Sequence, residues 1–327
     1  MKMSDRRSFL QRSLSGLAGL ASVPLLGGIA GCQQLPSPQP NGRPPPRSTS
    51  AHKAALSTEK LTDRVNLITG APGNLVALSS SDGIVLVDSG SSALAHAVRT
   101  SLAGANVRTL FNTHYHAEQT GGNVLFGPAG ASIHAHVITR QWLATDFYVP
   151  AEDRWVKALP ATALPTATFR QKGEMKVGEE SIEYGYLLEA HTRGDIYVFF
   201  RDSNVLAVGD VASPLRDPAL DWFAGGWLGG RVDAMDDLLA LANDETRIVP
   251  SYGPVMTRAQ LKAERDMMLH LYERTTDLTD HGRSARDMLE AGVLNEVSRK
   301  FEDPYRFLYD VSKGYWAHYT NFGGNVV

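Results

Sequence analysis

Cysteine is all but missing from this chain of 327 residues: Cys32 is the only one. That excludes an internal disulfide and leaves no thiolate to ligate a metal further along. An excess of charge is missing too. The 32 Lys and Arg nearly balance the 35 Asp and Glu, for a net charge of −3, and both signs are scattered along the length. Neither a nucleic-acid groove nor a polybasic patch fits that pattern, so no nucleic-acid partner is expected. A good membrane-spanning run is also absent from the first fifty residues. Leu14 to Gly31 is weakly apolar, glycine-rich and broken by Pro24, whereas a spanning helix needs roughly 20 strongly apolar residues. What remains is 43% hydrophobic and 20% charged, an ordinary globular composition able to bury a core.

The N-terminal segment is informative in what it does hold. Lys2, Arg6, Arg7 and Arg12 make a basic start, and the run Asp5-Arg6-Arg7-Ser8-Phe9-Leu10 carries a twin arginine ahead of the apolar stretch. This resembles a twin-arginine (Tat) export signal, used for proteins that cross the membrane already folded. Ile29-Ala30-Gly31-Cys32 resembles a bacterial lipoprotein box, in which the cysteine is acylated and becomes the new N-terminus. Proline and serine dominate the following segment as far as Ser50, which suits an extended tether. The expected organisation is a signal over 1–32, a tether over 33–55, and one domain with a helical C-terminal extension over 56–327. The expected location is periplasmic or at the cell surface, held to the membrane by a lipid at Cys32.

Beyond the tether, short β-rich runs come first: Val65 to Thr69, Leu75 to Ser79 and Ile84 to Val87. They are separated by Pro72-Gly73-Asn74 and Ser81-Asp82-Gly83, the residue types tight turns require, so antiparallel hairpins are predicted. The spacing predicts a helix over Ala93 to Leu102, a strand over Val107 to Asn112, and strands over Ile196 to Phe200 and Val205 to Val208 around Asp202-Ser203-Asn204. A helix is predicted over Thr257 to about Leu278, with short helices following to Phe307. Strands alternating with helices point to mixed sheets with helices outside.

The chemistry gathers in Thr113-His114-Tyr115-His116-Ala117-Glu118-Gln119-Thr120-Gly121-Gly122-Asn123, directly after an apolar strand. In extended chain, residues two apart point to the same side, so His114 and His116 can converge on one ion. Neutral imidazole ligates zinc at about 2.0–2.1 Å, and three histidines plus water make a catalytic shell. A third imidazole is available at His191, in His191-Thr192-Arg193-Gly194-Asp195.

In their order these segments resemble the metallo-β-lactamase superfamily, marked by Thr-His-x-His-x-Asp-His, Gly-Gly-Asn, His-Thr-x-Gly-Asp, a Gly-Asp pair and a Pro-Gly-His-Gly turn. Here the later two are Gly209-Asp210 and Pro250-Ser251-Tyr252-Gly253, and Val87-Asp88-Ser89-Gly90 matches an early Asp-x-Gly turn. The resemblance covers about residues 60–255. It implies a four-layer αββα sandwich of the α/β (α+β) class with its metal site at the edge of the two sheets. It places His114, His116 and His191 at the first metal and makes Asp210 the carboxylate bridging both. The second site departs from the pattern. Glu118 stands for the family's Asp, Gln119 for its next His, and Tyr252 for the His of the late turn.

An amide oxygen is a poor zinc donor, and a phenol with a reference pKa of about 10 ligates only when strongly activated. Glu118 keeps the charge about one methylene further out. One zinc is therefore expected, at His114, His116 and His191 with Asp210 and Glu118 as carboxylate ligands, and the second position empty or weakly filled. A single three-histidine zinc still lowers the pKa of its water to about 7. Glu118 or Asp210 is expected to handle that water, and Tyr252 and Gln119 to contact a small-molecule substrate. The bond is expected to be an ester, lactone, amide or thioester. Two other readings stay open: a catalytically degenerate member that binds a small molecule, and the same His/carboxylate shell holding iron or manganese. His134 and His136 are expected to be structural or rim residues. The aromatic group Trp142, Phe147, Tyr148 and Trp155, with the glycine-rich segment Asp221 to Gly230, is expected to wall a pocket or fill core.

Overall fold

A computed structural model describes residues 55–149 and 153–322. The twin arginine, Cys32 and the tether as far as residue 54 lie outside the described residues. Among those described, no helix is long and apolar enough to cross a membrane.

The predicted hairpins form. Strands β1 (Ser57–Lys60), β2 (Val65–Thr69), β3 (Leu75–Ser80) and β4 (Gly83–Val87) pair antiparallel in sequence order. Beyond them β5 (Val107–Phe111), β6 (Ser132–His136) and β9 (Ala167–Phe169) add parallel strands, completing a seven-stranded sheet. Between β6 and β9, the strands β7 (Phe147–Val149) and β8 (Arg154–Val156) make a separate two-stranded sheet. The second large sheet takes β10 (Lys172–Val177), β11 (Glu180–Tyr186), β12 (Ile196–Phe200), β13 (Val205–Gly209) and β14 (Arg247–Pro250) in sequence order, with β14 parallel to β13.

Side-chain alternation explains how two sheets serve four layers. In β12, Ile196, Val198 and Phe200 face the first sheet, where they meet Val65, Leu67, Val76, Val85, Val87 and Phe111. Their neighbours Tyr197 and Phe199 face the other way, into a helical layer. That layer holds α5 (Leu228–Leu241), α6 (Arg258–Asp280), α7 (Ala285–Glu290) and α8 (Pro304–Phe322). On the far side of the first sheet, Val98 in α1 (Ala95–Ser101) and Leu102 just past it cover Leu75, Ala77, Leu86, Leu110 and Ile133, and the short helices α3 (Asn123–Phe126) and α4 (Val137–Leu143) flank β6. A strand covered on both faces reads as a continuous apolar run, as Ile196 to Phe200 does. This is the αββα sandwich expected from the sequence.

Two helix expectations change. The first helix begins as a 3-10 turn over Ser92–Leu94 and turns α-helical only at Ala95. The C-terminal elements do not stop at Phe307: α8 runs for 19 residues to Phe322. Pro304 fits the first turn of a helix, where its missing N–H costs nothing. Phe307, Leu308 and Val311 then lie at helical spacing and sink into the second core. Helix α6 starts on a capping box, in which the Thr257 hydroxyl accepts from the Gln260 amide while Gln260 returns a bond to the Thr257 N–H at 2.8 Å.

The turns that carry the motifs all open at one end of the sandwich. They follow β4, β5, β13 and β14 and join β11 to β12. Ile196 N–H donates to Thr113 O at 2.9 Å, tying the two sheets together at that end.

Candidate metal centre

His114 and His116 lie in the bent segment after β5 and stop where α2 (Ala117–Thr120) begins, with His116 as its N-cap residue. His191 comes from the turn between β11 and β12. Asp195 holds that turn closed by accepting the N–H of His191 at 2.6 Å, the N–H of Thr192 at 2.7 Å and the Thr192 hydroxyl at 2.8 Å. Asp210 follows the last residue of β13.

The three imidazoles converge. His191 Nε2 lies 3.2 Å from His116 Nδ1. Asp210 Oδ2 stands 3.5 Å from His191 Nε2 and 3.8 Å from His114 Nε2. One ligand atom from each of the four residues lies within 4.8 Å of all the others. Tetrahedral zinc with ligands at about 2.0–2.2 Å separates its donors by about 3.3 Å, so the spacing suits one ion.

The outward ring nitrogens fix which lone pairs face inward. His114 Nδ1 is 3.0 Å from the Thr113 hydroxyl, which itself donates to Asp88 Oδ2 at 2.8 Å. His116 Nε2 is 3.0 Å from Asp221 Oδ2, and His191 Nδ1 is 2.9 Å from Ala219 O. This network assigns the proton of each ring to the outer nitrogen. His114 Nε2, His116 Nδ1 and His191 Nε2 then present unprotonated lone pairs to one point, as metal ligation requires. Buried His114 Nε2 and Asp210 Oδ1 have no hydrogen-bond partner among the described residues. Two lone pairs facing each other at 3.2 Å repel unless a cation lies between them. The donors therefore fit a resident metal ion.

Burial strengthens the fit by pushing the pKa values of His114 and His191 well below the ordinary imidazole value, which keeps them neutral. At His116 burial acts in the same direction, but the Asp221 carboxylate outweighs it and the net shift is upward. Burial works to raise Asp221 itself, and the bonds from His116 and Tyr115 reverse it, so its carboxyl titrates far below the usual range.

Glu118 requires a correction. It lies outside the four-residue group, although the sequence made it a fifth ligand. It sits in the single turn of α2, half-buried, while the next residue, Gln119, is turned fully inward. Its charge is felt at His116 and at Tyr252 without entering the ligand set. Ser251 Oγ is a buried donor with no partner among the described residues, while the buried Gln119 side chain faces the Tyr252 phenol and works to lower its pKa. Tyr252 follows β14 in the late turn, with the Arg216 guanidinium 3.6 Å from the centre of its ring. Burial, then the charges of Asp210 and Glu118, drive the Tyr252 phenol well above its ordinary pKa, so it remains a protonated donor. Where the resemblance would put a second metal, this chain has a protonated phenol and an amide beside the Glu118 and Asp210 carboxylates.

His134 and His136 stand apart from this cluster. The first packs on Phe111 and Tyr184, and the second stacks on Tyr186 at 4.0 Å. The aromatic residues do form a wall beside the centre. Tyr115 touches the His116 ring and stacks on Trp142, which in turn meets Phe147 and Phe223. Phe223 is 42% exposed, so the wall reaches solvent there, whereas Trp155 packs on Tyr148. Trp227 belongs to a different neighbourhood, packed against His318 and Tyr272.

Three residues that the sequence did not mark as functional support the ligands. Asp88 matched a turn motif and proves to anchor Thr113 through its backbone N–H and hydroxyl, both at 2.8 Å. Asp221 stood only as the edge of a glycine-rich segment. Arg231, fully buried in α5, donates to Ala219 O at 3.0 Å, the same carbonyl that receives the His191 ring. No local pattern distinguishes Asp221 or Arg231 from other charged residues.

The family model for the metallo-beta-lactamase superfamily matches residues 68–252. Solved structures share the fold. A metallo-beta-lactamase from Pontibacter korlensis is 19% identical at a TM-score of 0.55, over 65% of this chain and 99% of that one. The DIM-1 metallo-beta-lactamase is 17% identical at a TM-score of 0.54, over 66% of this chain and 97% of its own. The inverting sec-alkylsulfatase Pisa1 from Pseudomonas sp. is 15% identical at a TM-score of 0.58, and the match spans 83% of this chain but about half, 51%, of that enzyme. Identities at this level speak for the fold alone. Among curated proteins none matches the sequence.

Proposed function

The chain belongs to the metallo-beta-lactamase superfamily, and from that premise we propose that it is a hydrolase using a single zinc at His114, His116 and His191, beside Asp210, to cleave an ester, lactone, amide or thioester-type bond in a small molecule. One observation carries this reading: three imidazoles have their outer nitrogens engaged and their inner lone pairs aimed at one point beside Asp210. A zinc held by these residues would supply Lewis-acid polarisation and a bound water with a pKa of about 7, a nucleophile at neutral pH.

The rest falls to the chain's own groups. Asp210, the carboxylate nearest the ligand nitrogens, takes the proton released on attack and returns it to the leaving atom. Tyr252, kept protonated, donates to the substrate oxygen on which negative charge develops. Gln119, beside that phenol, contacts the substrate on the same side. Glu118 orients water from the rim. The wall of Tyr115, Trp142, Phe147 and Phe223 takes an apolar portion of the substrate. Nothing in this arrangement singles out β-lactams. With export through a twin-arginine signal and acylation at Cys32, the enzyme would work at a membrane surface outside the cytoplasm.

The test is metal analysis and turnover on the chain from Ser50 onward, purified without added metal, against a panel of esters, lactones and thioesters. About one zinc per chain is expected, with His116→Ala losing both zinc and turnover. Tyr252→Phe is expected to lower kcat by about 10²-fold, with KM little changed. Full turnover by His116→Ala would overturn the reading.

A further inference from the structure

We infer that the C-terminal helix α8 is a strut of the metal centre, and that His318 is the positioning residue through which it acts. The inference rests on the metal site proposed above and concerns a part of the chain that no motif covers.

Two loops present the supports of the centre. One runs from Leu187 to Asp195 and carries His191; the other runs from Ala219 to Trp227 and carries Asp221, the partner of His116. They are laced together. Asp221 N–H donates to His191 O at 2.9 Å, Arg193 N–H to Ala224 O at 2.9 Å, and Trp227 N–H to Glu189 O at 3.3 Å. Their backbones touch at Gly226, where a Cβ would lie 1.9 Å from the His191 carbonyl oxygen. Moving either loop therefore moves both His191 and the acceptor that orients His116.

Helix α8 grips this pair from outside at three points. His318 Nδ1 donates to Glu189 Oε2 at 2.9 Å. The His318 ring stacks on Trp227 at 3.6 Å between centroids and 14° between planes. One turn earlier Gly314 brings the helix backbone against the second loop, since a Cβ there would lie 3.1 Å from Gly226 O and from the Trp227 side chain. Glu189 and Trp227 belong to different loops, so His318 bridges them.

Glu189 explains why a bridge is needed. It stands two residues before His191 with a φ of 49°, a left-handed conformation that costs a non-glycine residue free energy. Such a residue persists only where its surroundings hold it. Here they do so through His318 on one carboxylate oxygen and Arg193 on the other, at 3.0 Å. Without the helix contact, Glu189 is free to relax, and the residue it displaces is the metal ligand next but one.

The experiment measures zinc affinity by chelator competition, and thermal unfolding with and without zinc, for the full chain carrying His318→Ala, His318→Asn or His191→Ala. In His318→Asn the amide nitrogen falls where Nδ1 stood and keeps the bond to Glu189. His318→Ala is expected to weaken zinc binding about 10- to 100-fold, the range for lost support of a metal ligand. Its metal-free form should unfold close to the wild-type temperature, and His318→Asn should recover most of the affinity. Wild-type affinity in His318→Ala, with zinc lost in His191→Ala, would overturn the strut and leave the metal site standing. A loss of affinity matched by equal destabilisation of the metal-free protein, with no rescue in His318→Asn, would also overturn it. No zinc uptake by the wild type would overturn both readings together.

Discussion

Asp221 accepts a hydrogen bond from Nε2 of His116 at 3.0 Å across 105 residues of sequence. The carboxylate holds the imidazole in the tautomer whose Nδ1 faces His191, and Tyr115 donates to the same oxygen at 2.5 Å. Asp221→Asn leaves the shape and removes the charge. Zinc affinity is expected to fall about 10- to 100-fold, read by titration against a chromophoric chelator. Unchanged affinity would mean the ring is oriented by its neighbours alone.

Restoring the family's ligand types should restore a second ion. The variant Glu118→Asp with Gln119→His and Tyr252→His puts a carboxylate and two imidazoles beside Asp210. Elemental analysis is expected to rise from about one zinc per chain to about two, since these ligands complete a second shell. A count that stays near one would show that something other than these three side chains closes the position.

Arg231 is fully buried, and its Nη2 lies 3.9 Å from Glu264 Oε1 while donating to the Ser213 hydroxyl at 2.7 Å. Arg231→Met leaves Glu264 buried without its cation. A loss of about 3–5 kcal/mol is expected in denaturant unfolding of the metal-free protein. Adding Glu264→Met should return a large part of it, because two apolar side chains need no partner. Equal instability of the single and double variants would argue against the pairing.

Glu183 supplies a pH test away from the metal centre. It accepts from the Tyr197 hydroxyl at 2.5 Å and from Arg201 Nε at 3.1 Å. Burial works to raise its pKa, but these bonds outweigh burial and the net shift is downward. A carboxyl depressed in the folded state contributes stability that is present above its unfolded pKa and lost as pH falls through the folded one. Glu183→Gln is therefore expected to be less stable at pH 7 by about 1–3 kcal/mol. The gap should close on acidification below the ordinary Glu range, read from urea midpoints across pH. A gap independent of pH would remove the ionic part of the argument.

The ligand histidines were legible because their spacing is local. His114 and His116 sit two apart at the end of a strand, and the Thr192–Asp195 turn that presents His191 is built within five residues. The strands were legible for the same reason: alternation, or an unbroken apolar run, states how many faces of a strand are covered. The C-terminal helix was read too short. Its buried stripe ends at Val311, and what occupies it further along is Trp227, a contact that spacing within the helix does not announce.

Glu118 marks the limit of carrying a motif over residue by residue. The motif fixes its position in sequence, but α2 turns Gln119 inward and leaves Glu118 at the rim. One residue of helical rotation decides which of two neighbours reaches the centre, because successive side chains on a helix diverge by about 100°.

By itself the sequence determined the fold class, the three clustered imidazoles and the residue types at Glu118, Gln119 and Tyr252, since each depends on residue type and short-range periodicity. Tertiary structure decided the rest. It chose Asp221, Thr113 and Ala219 as the acceptors that fix each tautomer, put Arg231 behind His191, and brought His318 onto Glu189. Most of those contacts join residues far apart in the chain. Their free energy comes from desolvation and geometry that exist only once the sheets and helices have closed around them.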